Sequence, residues 1–195
     1  MRDYHPLSAQ RLSGTVSISQ PAAPSKVTLE SPASEVMTDL NKVNAACIKP
    51  HTTMEAANNY MVQRGVRLLL VLNPGGSLAG LITSTDILGD KPLRFIQDRQ
   101  VKHSEILVSD VMTPLDRLEA LPLDEVARAN VGHIIASLRD TGRQHTLVTS
   151  QDAQGQTIVC GIFSRSQIEK QVGAPIEVSE VAKTFAEIEA TLVAD

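Results

Sequence analysis

Thr83 and Asp86 stand three residues apart in the run Gly80-Leu81-Ile82-Thr83-Ser84-Thr85-Asp86. A carboxylate placed there can accept hydrogen bonds from a ribose diol, and free N–H groups at a helix start can receive phosphate. The same spacing is also a capping box. In that reading the Thr hydroxyl covers a first-turn N–H, and the acidic side chain reaches back to the cap. A weaker copy, Gly161-Ile162-Phe163-Ser164-Arg165-Ser166-Gln167, keeps the hydroxyl and exchanges the carboxylate for an amide. Ser164 and Gln167 retain capping-box chemistry, but only Asp86 offers a ribose a charged acceptor. The expectation is one motif competent for a ribose, at Asp86, and a second that is degenerate or differently used. Arg165, Arg143 and His145 are the candidate phosphate groups near that second motif. Lys91 and Arg94 are others, although such residues are more often solvated or ion-paired.

These residues need elements to hold them. The apolar run Arg67 to Leu72 reads as a strand, and Asn73-Pro74-Gly75-Gly76 as a hairpin turn into a second strand that ends at Thr83. Thr83 then opens a helix. Upstream, Ala46 to Lys49 is a short extended piece ended by Pro50. A helix follows from about Thr53 to Arg64, with Met54, Ala57 and Met61 on one face and Gly65 as its stop.

The whole pattern occurs twice. Val36-Met37-Thr38-Asp39-Leu40 returns as Val111-Met112-Thr113-Pro114-Leu115, the strand block at Gly65 returns at Gly142, and the Gly80 block returns at Gly161. The offsets, 75, 77 and 81 residues, grow slowly and keep their order. The second copy has its extended piece at Leu118 to Leu121. Its helical stripe is Ala127, Val131, Ile134, Ile135 and Leu138, with Gly132 as the place where the helix divides. Its hairpin turn lies around Gln151 to Gly155, and its closing helix starts at Ser164. Each unit therefore runs strand, helix, strand, strand, helix. Pro92 opens a further helix through about Arg99 between the units, and Ser179 caps a final one with Val181, Phe185, Ile188 and Leu192 on one face.

Composition removes several classes. The chain of 195 residues is 42% apolar with only 3% aromatics, so its core is built from aliphatic side chains. A net charge of −4 argues against a general nucleic-acid binder, and no polybasic block or long apolar run points to a membrane. Cys47 and Cys160 lie among apolar residues and read as core positions; no zinc-ligand spacing is present. Without a nucleophile elbow, a Walker A loop or an acid–base pair, catalysis is not expected. The chain reads as cytoplasmic.

The ordered, duplicated motifs resemble a tandem pair of CBS domains, the module named after cystathionine β-synthase, over roughly residues 34 to 173. With no other domain attached, the chain is similar to stand-alone bacterial CBS-pair proteins. The resemblance implies an α/β fold of α+β type, with two β-α-β-β-α units in a pseudo-two-fold arrangement. It divides the chain into an extended or disordered arm (1–33), two CBS domains (34–102 and 103–173) and a C-terminal helix (174–195). It implies a non-catalytic regulatory module that binds AMP, ADP, ATP or S-adenosylmethionine between the units, AMP or ATP foremost, with Mg accompanying a polyphosphate. By matching position, Asp86 would hold the ribose, Thr83 with Ser84 and Thr85 would meet ribose or phosphate, and Ile48 and Arg67 would border the adenine. A homodimer and an unidentified regulated protein are the implied partners. The alternative is an interaction scaffold that binds no nucleotide.

Overall fold

The computed structural model describes residues 5–19 and 27–176; the expected helix from Ser179 lies outside them. Residues 5–19 are exposed and form no helix or strand. Val16, Ser17 and Ile18 alternate apolar and polar like a strand but form none. From Val27 onward the chain docks. Val27, Ala33 and Val36 are buried, and the carbonyls of Leu29 and Ser31 accept the N–H groups of Gly132 and Val131.

The first unit carries strand β1 (Thr38–Asp39), strand β2 (Cys47–Ile48), helix α1 (Met54–Arg64), strand β3 (Leu68–Leu72), strand β4 (Leu78–Thr83) and helix α2 (Ser84–Leu88). Thr53 caps α1 by accepting the Ala56 N–H. Helix α3 (Lys91–Arg99) starts beside Pro92, as the sequence indicates. The second unit follows with α4 (Val108–Val111), β5 (Thr113–Pro114), β6 (Ala120–Pro122), α5 (Leu123–Val126), α6 (Val131–Thr141), β7 (His145–Gln151), β8 (Thr157–Ser164) and α7 (Arg165–Val172).

One expectation is corrected here. The helical stripe of the second unit breaks before Gly132, between α5 and α6. Asn130 accepts the His133 N–H while His133 Nδ1 accepts the Asn130 N–H, so this pair starts a new helix and Gly132 sits inside it.

The two hairpins repeat in detail. Asn73 N–H reaches the Ser77 carbonyl at 2.9 Å, and Asp152 N–H reaches the Gln156 carbonyl at the same distance. Gly76 (φ 83°) and Gly155 (φ 77°) take the left-handed position that such turns reserve for glycine. Each hairpin then carries a register shift at the same place, Val71/Leu72 and Val148/Thr149.

The sheets cross the sequence boundary. One sheet has the order β2-β3-β4-β5 and the other β1-β8-β7-β6. The leading strand of each unit thus joins the other unit's sheet: Thr38 pairs with Ile162, and Thr113 with Leu81. The cores follow the exchange. Ile106, Val108 and Val111 pack with Met54, Leu69 and Ile82, while Ala33 and Val36 pack with Val131, Phe163 and Ile168. A third cluster, Leu68, Leu70 and Leu147, joins the two hairpins. Four of the five β3 residues are buried, as expected for a strand covered on both faces.

Candidate functional site

Each β-hairpin ends where a helix begins, so the two closing motifs can be compared atom by atom. In the first, Thr83 donates both its N–H and its hydroxyl to Asp86 Oδ2, each at 2.7 Å. The Asp86 N–H returns to Thr83 Oγ1 at 3.3 Å. Asp86 Oδ1 receives Lys91 Nζ at 2.6 Å, and the same ammonium reaches the Val111 carbonyl at 3.4 Å. Asp86 is only 9% exposed. Its carboxylate is thus held by three donors from the protein itself. Lys91, in turn, ties α3 to the leading segment of the second unit.

The second motif behaves differently, against the expected capping box. Ser164 has no capping bond; its hydroxyl lies 3.2 Å from that of Ser166. The cap residue has ψ 122° where Thr83 has 164°, and the Gln167 side chain turns instead to Thr38, whose hydroxyl it accepts at 3.4 Å. The helix start is held by other means. Arg165 pairs with Glu169 at 3.1 Å and also donates to the Ile176 carbonyl.

The freed side chains line a cavity of about 470 Å³ between the units. Thr38, Ser164, Ser166, Gln167 and Lys170 come from the second unit and the leading strand paired with it. Leu40, Ala45, Ala46, Arg64, Val66 and Arg67 come from the first unit, and His145 and Ile162 of the second unit complete the lining with further residues of the first. The volume lies within the usual range for small-molecule sites. Among the described residues no Asp or Glu lines it. The Nδ1 of His145 is buried with no hydrogen-bond partner among the described residues. Burial pushes the His145 pKa down to about 4; the nearby Arg67 guanidinium acts in the same direction, and Asp86 opposes it. His145 is therefore neutral near pH 7.

Of the residues singled out in the sequence, Arg67, His145, Ser164 and Gln167 meet in this cavity. Thr83, Ser84, Thr85, Asp86 and Ile48 do not line it. Arg143 is paired with Glu119 at 2.8 Å, and Arg165 is held as described. Thr38, Arg64 and Lys170 were missed. A signal existed for two of them. Thr38 belongs to the repeated leading motif, and Lys170 stands one helical turn after Gln167 on the same face. Among the described residues no group of three or more His, Cys, Asp or Glu could hold a metal, and no helix is long and apolar enough to cross a membrane.

Two interlocked β-α-β-β-α units enclosing a cleft define a tandem, pseudo-symmetric module. A family model described as the CBS domain matches residues 33–90, and the chain as a whole has the fold of a CBS pair. Among solved structures, a conserved protein from Pyrococcus horikoshii is similar at 21% identity and a TM-score of 0.54, over 78% of this chain and all of that one. CBSX2 from Arabidopsis thaliana, solved in complex with AMP, is similar at 23% identity and 0.51, over 72% and 94%. The CBS-domain-containing protein ATU1752 from Agrobacterium tumefaciens follows at 14% and 0.50, over 68% and 88%. A comparison with curated proteins found no match.

Proposed function

We propose that this protein is a non-catalytic regulatory module that binds an adenosine nucleotide in the cavity at Gln167, between its two units. The observation that carries the reading is the cavity itself. It offers apolar walls for a base, at Leu40, Ala45, Ala46, Val66 and Ile162. Beside them it offers hydroxyl, amide, imidazole and cationic groups, which suit a sugar phosphate. The AMP complex of the similarly folded CBSX2 supports an adenosine ligand. Mg would arrive with a polyphosphate.

Both units contribute walls, so an occupant would bridge them. A ligand shifts a conformational equilibrium only by its differential affinity for the two states, and a ligand spanning two packed units has such a difference. The reader of that shift is a partner protein of unspecified kind, and the module would act as a cytoplasmic homodimer.

Thermal denaturation with AMP, ADP and ATP tests the site. A ligand at about 100 times its Kd should stabilise the fold by about 2.7 kcal/mol. Ser166→Trp, which fills the cavity, should abolish the shift, while Thr85→Trp, the matching change in the first unit, should preserve it. Loss of the shift in Thr85→Trp alone would move the site to Asp86. No shift with any adenosine compound would favour the scaffold alternative.

A further inference from the structure

The cavity is electrically one-sided. Arg64 and Arg67 flank Gly65 on the side of the first unit, and Lys170 follows Gln167 by one turn on the side of the second. None of the three forms an ion pair with a carboxylate among the described residues. Arg64 is met instead by the Tyr60 ring, 6.0 Å from its centroid. The acid that could have balanced them, Asp86, is already bound to Lys91. An uncompensated trio of cations around an apolar-walled cavity favours an anionic occupant.

Gln167 points to the same ligand chemistry. It occupies the place that Asp86 holds in the first copy. Its Oε1 accepts the Thr38 hydroxyl, and its NH2 supplies two donors. A ribose diol is held most strongly by a charged acceptor, which an amide does not supply. Phosphate oxygens are acceptors, and they suit both that NH2 and the cations.

We propose that this cavity recognises its ligand through phosphate charge rather than through the ribose diol. It takes nucleoside polyphosphates, ribo and deoxyribo alike, and rejects an adenosine ligand that carries a cationic sulfonium. The inference rests on the nucleotide reading of the cavity, and the two are separable by experiment.

Isothermal titration calorimetry on the full chain would compare ATP, dATP, AMP, adenosine, S-adenosylmethionine and inorganic tripolyphosphate. ATP and dATP should bind within about threefold of each other, with AMP at least about tenfold weaker and S-adenosylmethionine silent. Arg67→Gln and Lys170→Gln should each weaken ATP by about tenfold, the scale of one charge-assisted hydrogen bond, and the loss should shrink at high salt. Gln167→Asp should weaken ATP and create a preference for ATP over dATP. Adenosine or S-adenosylmethionine binding as tightly as ATP would overturn phosphate selection and leave the adenosine site standing. A strong wild-type preference for ATP over dATP would overturn it too. Binding of tripolyphosphate alone, lost in Lys170→Gln, would sustain phosphate selection and defeat the adenosine reading.

Discussion

The closing motifs at Thr83 and Ser164 occupy equivalent places and do opposite things. At Thr83 the motif binds itself. Two donors of Thr83 and the Lys91 ammonium engage Asp86, and the carboxylate is buried. At Ser164 the box is absent, Gln167 leans on Thr38, and the side chains border open space. In the first copy the carboxylate is already engaged by the protein's own donors; in the second the hydroxyl and amide border a cavity. A residue's chemistry therefore does not locate a site until its existing bonds are counted.

Three tests by substitution would break or sharpen this comparison. The largest effect is expected at the glycines that open the motifs. A Cβ at Gly80 would collide with the backbone carbonyl of Thr113, where the exchanged leading strand passes. At Gly161 the same Cβ would meet only the flexible end of Met37. Gly80→Ala should lose about 3 kcal/mol in urea denaturation, and Gly161→Ala markedly less. Equal losses would mean that the two strand crossings are equally tight.

The next effect separates the carboxylate from the amide. Asp86→Ala removes a buried cap and orphans its donors, and should cost about 2 kcal/mol. Gln167→Ala, with one long hydrogen bond, should cost less than about 0.5 kcal/mol. The reverse order would show that the second motif carries the structural load.

The smallest effect concerns pH. His145 starts β7 opposite Ser164, as Leu68 starts β3 opposite Thr83. The folded pKa of His145, about 4, lies below the usual 6.5, so the unfolded chain binds more protons between those values. Stability should fall as pH drops through that window. His145→Leu, which installs the first unit's residue, should flatten the fall by about 1 kcal/mol at pH 5.5. An unchanged pH profile would place the acid sensitivity elsewhere.

Local features of the fold were legible in the sequence because they are enforced over short distances. The turn at Gly76 and its echo at Gly155 need a left-handed residue, and Gly65 and Gly142 stop their helices in the same conformation. The exchange of leading strands was not legible. Thr38–Asp39 and Thr113–Pro114 are two residues long, show no periodicity, and pair across more than half the chain or back into the preceding hairpin. The division of the second helix was read at Gly132 because glycine is a poor helix former, but the reciprocal Asn130–His133 cap sets it. The cavity was hidden for a related reason. Ser164-x-x-Gln167 fits a capping box in one dimension, and only the altered backbone at Ser164 releases Gln167 to Thr38.

The most direct measurement of the central claim is a crystal structure of the protein grown with ATP. The account predicts nucleotide density between Gln167 and Arg67, with phosphates among Arg64, Arg67 and Lys170 and the Asp86–Lys91 pair intact. Nucleotide bound against Asp86 with Lys91 displaced, and the Gln167 cavity empty, would contradict it.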